Sequence, residues 1–334
     1  MGLTCPACNA VAVDGSKFCE DCGSALDAQA IADVDPALRC SSCGAGPAAV
    51  DTDGFCTQCG TRRLAPPRDH IEQVVSVKVA GVSDIGTKYT ENQDYFVLAT
   101  GPHGEIIGVV CDGVSLSQHA MDGSKLAAET IAAAIVNRLD ANTDADPDTI
   151  VKRAMTRAQQ AICTLPFALG LKDDLTGDPI PPAQATAVAV LVMGARVTIG
   201  WLGDSRAYWV GRAGARQLTT DHSWFNDVVA SGEMTAEEAR NDPRVRGIVK
   251  SLGADLEGTN PGIEGDALTL NLTEPGVLLV VSDGFYTTAD DPAIRRLVHA
   301  LPDGIDALAL ARHLVDHARS SGTKDNITVV AIIS

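Results

Sequence analysis

Apolar and polar positions along the chain change their rhythm near residue 70. Beyond it, apolar runs of strand length recur at 74–82, 95–100, 106–111, 185–193, 196–202, 207–210, 267–270, 277–281 and 327–333. Two longer stretches, 124–139 and 148–165, repeat apolar side chains every three to four residues and predict amphipathic helices, with Asp146-Pro147-Asp148 as a start signal for the second. The same spacing predicts helices at 292–300 and 305–320. Strands in two batches, separated by paired long helices, predict an α+β fold of two stacked antiparallel sheets with helices on both outer faces, a four-layer αββα sandwich. The regular strand–helix alternation of a doubly wound nucleotide-binding sheet is absent.

Before residue 70 cysteine takes over. Eight of the ten cysteines form four Cys-x-x-Cys pairs: Cys5/Cys8, Cys19/Cys22, Cys40/Cys43 and Cys56/Cys59. Ten residues separate Cys8 from Cys19 and twelve separate Cys43 from Cys56, so one four-cysteine unit is written twice, over about 1–26 and 37–62. Two residues between thiols let one turn present both sulfurs to a single ion, and two such turns complete the tetrahedron that zinc prefers. Two small zinc ribbons, each with four cysteine ligands and one structural Zn²⁺, are the expectation, against a disulfide framework or redox Cys-x-x-Cys centres. Units this short cannot bury a core, so the metal would supply their folding free energy. Cys56 and Arg62 also match the Cys-five-residues-Arg loop of thiol-dependent tyrosine phosphatases, but no buried strand precedes Cys56 and the fourth pair already claims it.

Residues 63–73 carry Pro66 and Pro67 among charged side chains and read as a linker between this double ribbon (1–62) and a second domain, 74–334. Charge narrows the function classes. Twenty-six Lys+Arg against 43 Asp+Glu leave a net charge of −17, which repels nucleic-acid phosphates and anionic lipid. Residues 1–70 hold five basic side chains against nine acidic ones, so the ribbons favour protein docking or regulation over nucleic acid. No apolar run reaches the roughly 18 residues of a bilayer span. The N-terminus shows no signal-peptide pattern, so the expected location is the cytoplasm, with no membrane partner.

Candidate chemistry sits where apolar strands end. IIGVVCDG and VLLVVSDG each deliver an aspartate with a glycine behind it, Asp112-Gly113 and Asp283-Gly284. Either alone reads as a turn. With Asp94 in ENQDYF and Asp325 in TKDNITVV they make four strand-end carboxylates, an oxygen-rich set suited to Mg²⁺ or Mn²⁺.

From about residue 76 onward the stretches SDIGTKYTENQDYF, VVCDG, AQATAVAVLV, WLGDSRAYWV, LTTDHS, LLVVSDGFYT and TKDNITVVAI follow one another. In that order they resemble the metal-dependent protein serine/threonine phosphatases of the type 2C (PPM) family in their compact bacterial form. The resemblance implies hydrolysis of phosphoserine and phosphothreonine in proteins by water activated with two Mn²⁺ or Mg²⁺ ions. It also implies opposition to serine/threonine kinases, with phosphorylated proteins, such kinases or their substrates, as partners. Position by position, Asp112 would bridge both ions, the Gly113 carbonyl would ligate one, Asp283 and Asp325 would complete the other's shell, and Asp94 would reach the ions directly or through water. Asp204 in GDSR matches the residue that holds a third, weaker ion in bacterial members, with Asp283 as its partner. Residues 224–262 resemble the flap beside the active site.

The chain departs from the family pattern in three places. Tyr89 stands five residues before Asp94, where the family has a phosphate-binding Arg, which leaves phosphate binding either to Lys88 or weak. Gln93 replaces an acidic residue and removes one charge from the ions' water network. VSLSQHAMDGS after Gly113 is not the usual Gly-rich form, leaving His119 as a candidate general acid against a solvated loop histidine. These departures keep an alternative open, a catalytically weak or inactive phosphatase-like scaffold that uses its ribbons to bind proteins. His313 and His317 read as surface residues, His222 as loop packing, and Cys111 and Cys163 as buried thiols.

Overall fold

The computed structural model describes residues 3–4, 11–12, 45, 49, 56–59, 68–141, 145–174, 176–260, 262–302 and 304–334. The chain divides into two compact units, Met1–Pro67 and Arg68–Ser334. In the first, β1 (Leu3–Thr4) pairs antiparallel with β2 (Val11–Ala12). Cys56 is buried with Ala45 and Ala49 around it, and Cys59 is exposed. Cys5, Cys8, Cys19, Cys22, Cys40 and Cys43 lie outside the described residues.

The second unit opens with β3 (His70–Ser76), β4 (Val79–Asp84), β5 (Asp94–Thr100) and β6 (Ile106–Asp112), followed by helices α1 (Ala120–Asp140) and α2 (Pro147–Ile162). Strands β7 (Gln184–Ala185), β8 (Ala187–Met193), β9 (Arg196–Leu202), β10 (Arg206–Gly211) and β11 (Ala215–Gln217) come next. Then follow α3 (Trp224–Ser231), α4 (Ala236–Arg240), β12 (Leu252–Gly253), β13 (Asp266–Asn271) and β14 (Gly276–Val281). Helices α5 (Asp283–Tyr286), α6 (Asp291–His299) and α7 (Ala307–Ser320) lead into β15 (Ile327–Ile333). One sheet runs β11-β10-β14-β15-β4-β3 and the other β13-β9-β8-β6-β5, with every neighbouring pair antiparallel.

Strand patterning explains the four layers. In β8, Val188 and Val190 point into the core between the sheets, while Ala187, Ala189 and Leu191 point to α1 and α2. In β14, Leu278 and Val280 face the inter-sheet core, and Val277, Leu279 and Val281 face α6 and α7. A strand covered on both faces has no need of a polar side, which is why these runs are continuously apolar. The expected αββα sandwich is the fold observed. No helix among the described residues is long and apolar enough to cross a membrane.

Two local expectations change. The apolar run 74–82 is not one strand but the closing half of β3, a turn at Val77-Lys78 and most of β4, paired as a hairpin with Ser76 opposite Val79. Val74 and Val77 are consequently exposed. The sheet also begins at His70, within the stretch read as linker, and α1 begins at Ala120, four residues before its apolar spacing starts at Ser124.

Candidate active site

Antiparallel pairing gathers the strand-end carboxylates at one end of the sandwich. Asp94 opens β5 and Asp112 closes β6, and they are register partners. Asp283 starts α5 one residue after β14, Asp325 precedes β15, and Asp204 follows β9 across Gly203. Asp94 is buried; Asp112, Asp204, Asp283 and Asp325 are half-buried. Asp112 lies within electrostatic reach of the other four, and Asp283 reaches the same neighbours and comes within hydrogen-bonding range of Asp112.

The cost of this gathering is visible in the acidities. Desolvation first, then the surrounding carboxylates, hold Asp112 and Asp283 well above the usual carboxylate range. Burial lifts Asp94 and Asp204 to about 6, and Asp325 is raised for the same reason.

Hydroxyls from one sheet fix Asp94 on the other. Ser282 Oγ donates to Asp94 Oδ2 at 2.6 Å and Thr328 Oγ1 donates to it at 2.8 Å. Ser282 Oγ in turn accepts the Thr328 N–H at 2.9 Å, and Thr328 Oγ1 stands 2.8 Å from Ser83 Oγ. Asn326 ties the loops: its Oδ1 accepts the Gln93 N–H at 2.9 Å and its Nδ2 donates to the Ile85 carbonyl at 2.8 Å. Gly284 must be glycine because a Cβ there would lie 1.9 Å from the Asn326 carbonyl oxygen. Gly113 is constrained alike, by the Ala120 carbonyl at 2.5 Å, while its N–H donates to the Gln93 carbonyl.

The donor chemistry fits divalent cations. Hard carboxylate oxygens lie within electrostatic reach of one another, and their repulsion calls for positive charge. Gln93, next to Asp94 in sequence, has a buried Oε1 with no hydrogen-bond partner among the described residues. No group of three or more His, Cys, Asp or Glu among the described residues is arranged to hold a metal ion, and the fit lies in donor type and electrostatic proximity.

A cleft of about 560 Å³ adjoins the carboxylates, lined by Asp204 and Asp283 on one side and by Phe225, Asn226, Arg240 and Arg246 on the other. The second group belongs to the stretch expected to be a flap, in which Ser223 caps α3 and a Thr235/Glu238 capping box starts α4. Arg206 pairs with Asp221 at 2.6 Å and lies 3.6 Å from the centre of the Tyr286 ring, and Tyr286 donates to Asp204 Oδ2 at 3.2 Å.

The remaining candidates separate from this centre. Lys88 is exposed at its rim, close enough to act on Asp325, with its ammonium on Tyr89 Oη at 3.0 Å. His119 precedes α1 in the left-handed region (φ 53°), exposed beside Asp122. His222 is buried, accepts the Gly203 N–H at 3.1 Å and stacks near Trp201, so it buttresses the turn that carries Asp204. Cys111 is buried and its thiol is pushed up by desolvation and by Asp112 and Asp94. Sequence reasoning missed Ser83, Asn92, Ser282, Asn326 and Thr328, whose shared signal is a small polar side chain at or near a strand end and within three residues of an aspartate.

Comparison with known proteins accords with this geometry. A family model described as protein phosphatase 2C matches residues 83–316, and one described as double zinc ribbon matches residues 5–62. The serine/threonine phosphatase Stp of Listeria monocytogenes is 30% identical over 150 residues, 44% of this chain; the alignment spans only 55% of that relative's length. The protein phosphatase PhpP of Streptococcus pneumoniae is 26% identical over 257 residues, 77% of this chain and 97% of PhpP. Among solved structures, the Staphylococcus aureus phosphatase Stp1 superimposes with a TM-score of 0.63 at 22% identity, covering 79% of this chain and 98% of Stp1. The catalytic domain of PstP in complex with two manganese ions gives 0.56 at 22% identity over 79% and 99% of the two chains. The chain therefore belongs to the protein phosphatase 2C family.

Proposed function

We propose that this protein hydrolyses phosphoserine and phosphothreonine in other proteins at the strand-end carboxylate cluster, opposing serine/threonine kinases. The observation that carries the reading is the convergence of Asp94, Asp112, Asp204, Asp283 and Asp325, each with a raised pKa, beside an open cleft. Two Mn²⁺ or Mg²⁺ ions held there would neutralise a phosphomonoester dianion and make water nucleophilic near neutral pH. Asp112 would serve both ions and the Gly113 carbonyl would ligate one, Asp283 and Asp325 would complete the other's shell, Asp94 would reach the ions directly or through water, and Asp204 with Asp283 would suit a third, weaker ion. Ser282 and Thr328 saturate Asp94 Oδ2 and leave Oδ1 for the site. Lys88 supplies positive charge at the rim for the substrate phosphate. Cys111, next to Asp112, is buried with its thiol pushed up, which disfavours a phosphocysteine route there.

The ribbons form the second part of the proposal: a module over 1–62 with two structural Zn²⁺, used for docking or control, joined to a catalytic domain in the cytoplasm. Elemental analysis should find about two zinc ions per chain; zinc-free protein with intact disulfides would refute the module.

Phosphate release from a phosphothreonine peptide, with and without Mn²⁺, tests the activity. Metal-dependent release that Asp283→Asn abolishes supports it. Folded, Mn²⁺-binding wild type that releases nothing would leave the phosphatase-like scaffold, which Tyr89 and Gln93 favour.

A further inference from the structure

Arg68 is the first residue of the second unit and follows directly on Pro67, the last of the first. Its place in the sequence reads as linker, yet its guanidinium is half-buried against the catalytic unit. Nη1 donates to the Met121 carbonyl at 2.5 Å, and Nη2 donates to the Asp94 carbonyl at 2.8 Å and to Ser124 Oγ at 3.2 Å. The group also lies 4.7 Å from the centre of the Tyr95 ring. The Arg68 carbonyl accepts Asn92 Nδ2 at 2.8 Å, and Asn92 Oδ1 accepts the Asp94 N–H at 3.1 Å. Both backbone groups of Asp94 are therefore held, the carbonyl by Arg68 directly and the N–H through a residue that Arg68 itself binds. Met121 and Ser124 sit at the start of α1, so one planar cation locks that helix to the first residue of β5.

Resting on the phosphatase reading above, we propose that Arg68 is a positioning residue for Asp94: it fixes the backbone from which that carboxylate reaches the divalent-ion site. The guanidinium places its donors on separate nitrogens in a fixed plane, so Nη1 and Nη2 reach acceptors on α1 and on β5 together, whereas a lysine ammonium donates from one nitrogen on a flexible stem. Groups that orient a metal ligand commonly set affinity by about 10- to 100-fold.

The test is Mn²⁺ binding to the full zinc-loaded chain, measured by calorimetry without substrate and paired with thermal unfolding. Wild type is compared with Arg68→Lys, Arg68→Ala, Asp94→Asn and the Arg68→Ala/Asp94→Asn double variant. Arg68→Ala should weaken Mn²⁺ binding about tenfold or more and Arg68→Lys about threefold or more. In the double variant, Arg68→Ala should weaken binding by less than about threefold relative to Asp94→Asn alone, because the two residues act as one unit. A merely structural arginine would lower the unfolding temperature and leave Mn²⁺ affinity within about twofold of wild type. That result overturns the proposal, and Arg68→Lys decides it if Arg68→Ala does not fold; full additivity in the double variant overturns it as well. Wild type that binds no Mn²⁺ would overturn the metal-site reading and this proposal together, whereas unchanged variants of a wild type that binds would overturn the role of Arg68 alone.

Discussion

Two regions on the same strands obey opposite rules. The middle of β14 packs Leu278, Leu279 and Val280, and the middle of β6 packs Val109 and Val110, aliphatic against aliphatic from both sides. Within a few residues the same strands deliver Ser282 and Asp283, and Asp112, to a place where carboxylates crowd one another. The first region supplies stability, since each buried aliphatic side chain contributes roughly 1.5–3 kcal/mol. The second consumes it, because desolvation and repulsion favour neutral carboxyls over the charged forms. A fold that places its strand ends this way calls for counter-charge at that end, and hard carboxylate donors suit the divalent cation proposed above.

Four substitutions separate the two regions. Asp283→Asn removes a central donor and should cut Mn²⁺-dependent phosphate release on the order of 10³-fold or more, about 4 kcal/mol of barrier, in steady-state kinetics with wild-type-like circular dichroism. Ile131→Ala empties a fully buried position between α1 and its sheet. It should cost about 3 kcal/mol in denaturant unfolding while leaving Mn²⁺ affinity unchanged; a matching loss of affinity would show that the two regions are not separable. Gln93→Glu returns a carboxylate to the edge of the cluster and should tighten Mn²⁺ binding by about tenfold while lowering metal-free stability. Calorimetry and thermal unfolding read the two signs independently.

The smallest effect lies at the surface. Partial burial opposes the charge on His70, but hydrogen bonds to Asp84 (2.9 Å) and Glu72 (3.1 Å) outweigh it and raise its pKa above 6.5. Arg319 also reaches Asp84, and Arg312 reaches Glu72. A raised folded pKa means that the stabilisation is complete below 6.5 and fades as pH climbs through the higher folded value. His70→Gln should therefore cost under about 1 kcal/mol at pH 5.5 and less at pH 8.5 in urea unfolding; an equal loss at both would remove the charge from the explanation.

What was legible in the sequence follows from the same contrast. Asp112 and Asp283 stood out because each breaks an aliphatic run at its end, and the two-sided burial of the strands was written in their lack of polar alternation. The roles of individual aspartates came from the ordered resemblance, since spacing alone does not say which carboxylates meet. The β3–β4 hairpin was hidden because its turn, Val77-Lys78, uses no turn-forming residue and sits inside a valine-rich run. Arg68 was hidden because its partners, Asp94, Met121 and Ser124, lie 26 to 56 positions away. Nothing local distinguishes it from a charged linker residue.

The carboxylate cluster is expected to destabilise this fold until divalent cations fill it. Raised folded pKa values mean that stability falls as pH rises from the ordinary carboxylate range through about 6 for Asp94 and Asp204, with Asp112 and Asp283 adding to the fall in the same direction, so ionising the cluster works against the fold. The direct measurement is thermal unfolding at pH 7 of wild type and Asp283→Asn, dialysed free of divalent ions other than zinc and then titrated with Mn²⁺. Metal-free Asp283→Asn should unfold a few degrees above metal-free wild type, about 1 kcal/mol or more in its favour, and saturating Mn²⁺ should reverse the order by raising wild type well above Asp283→Asn. Metal-free Asp283→Asn that is less stable than wild type, together with no response of wild type to Mn²⁺, would contradict the account.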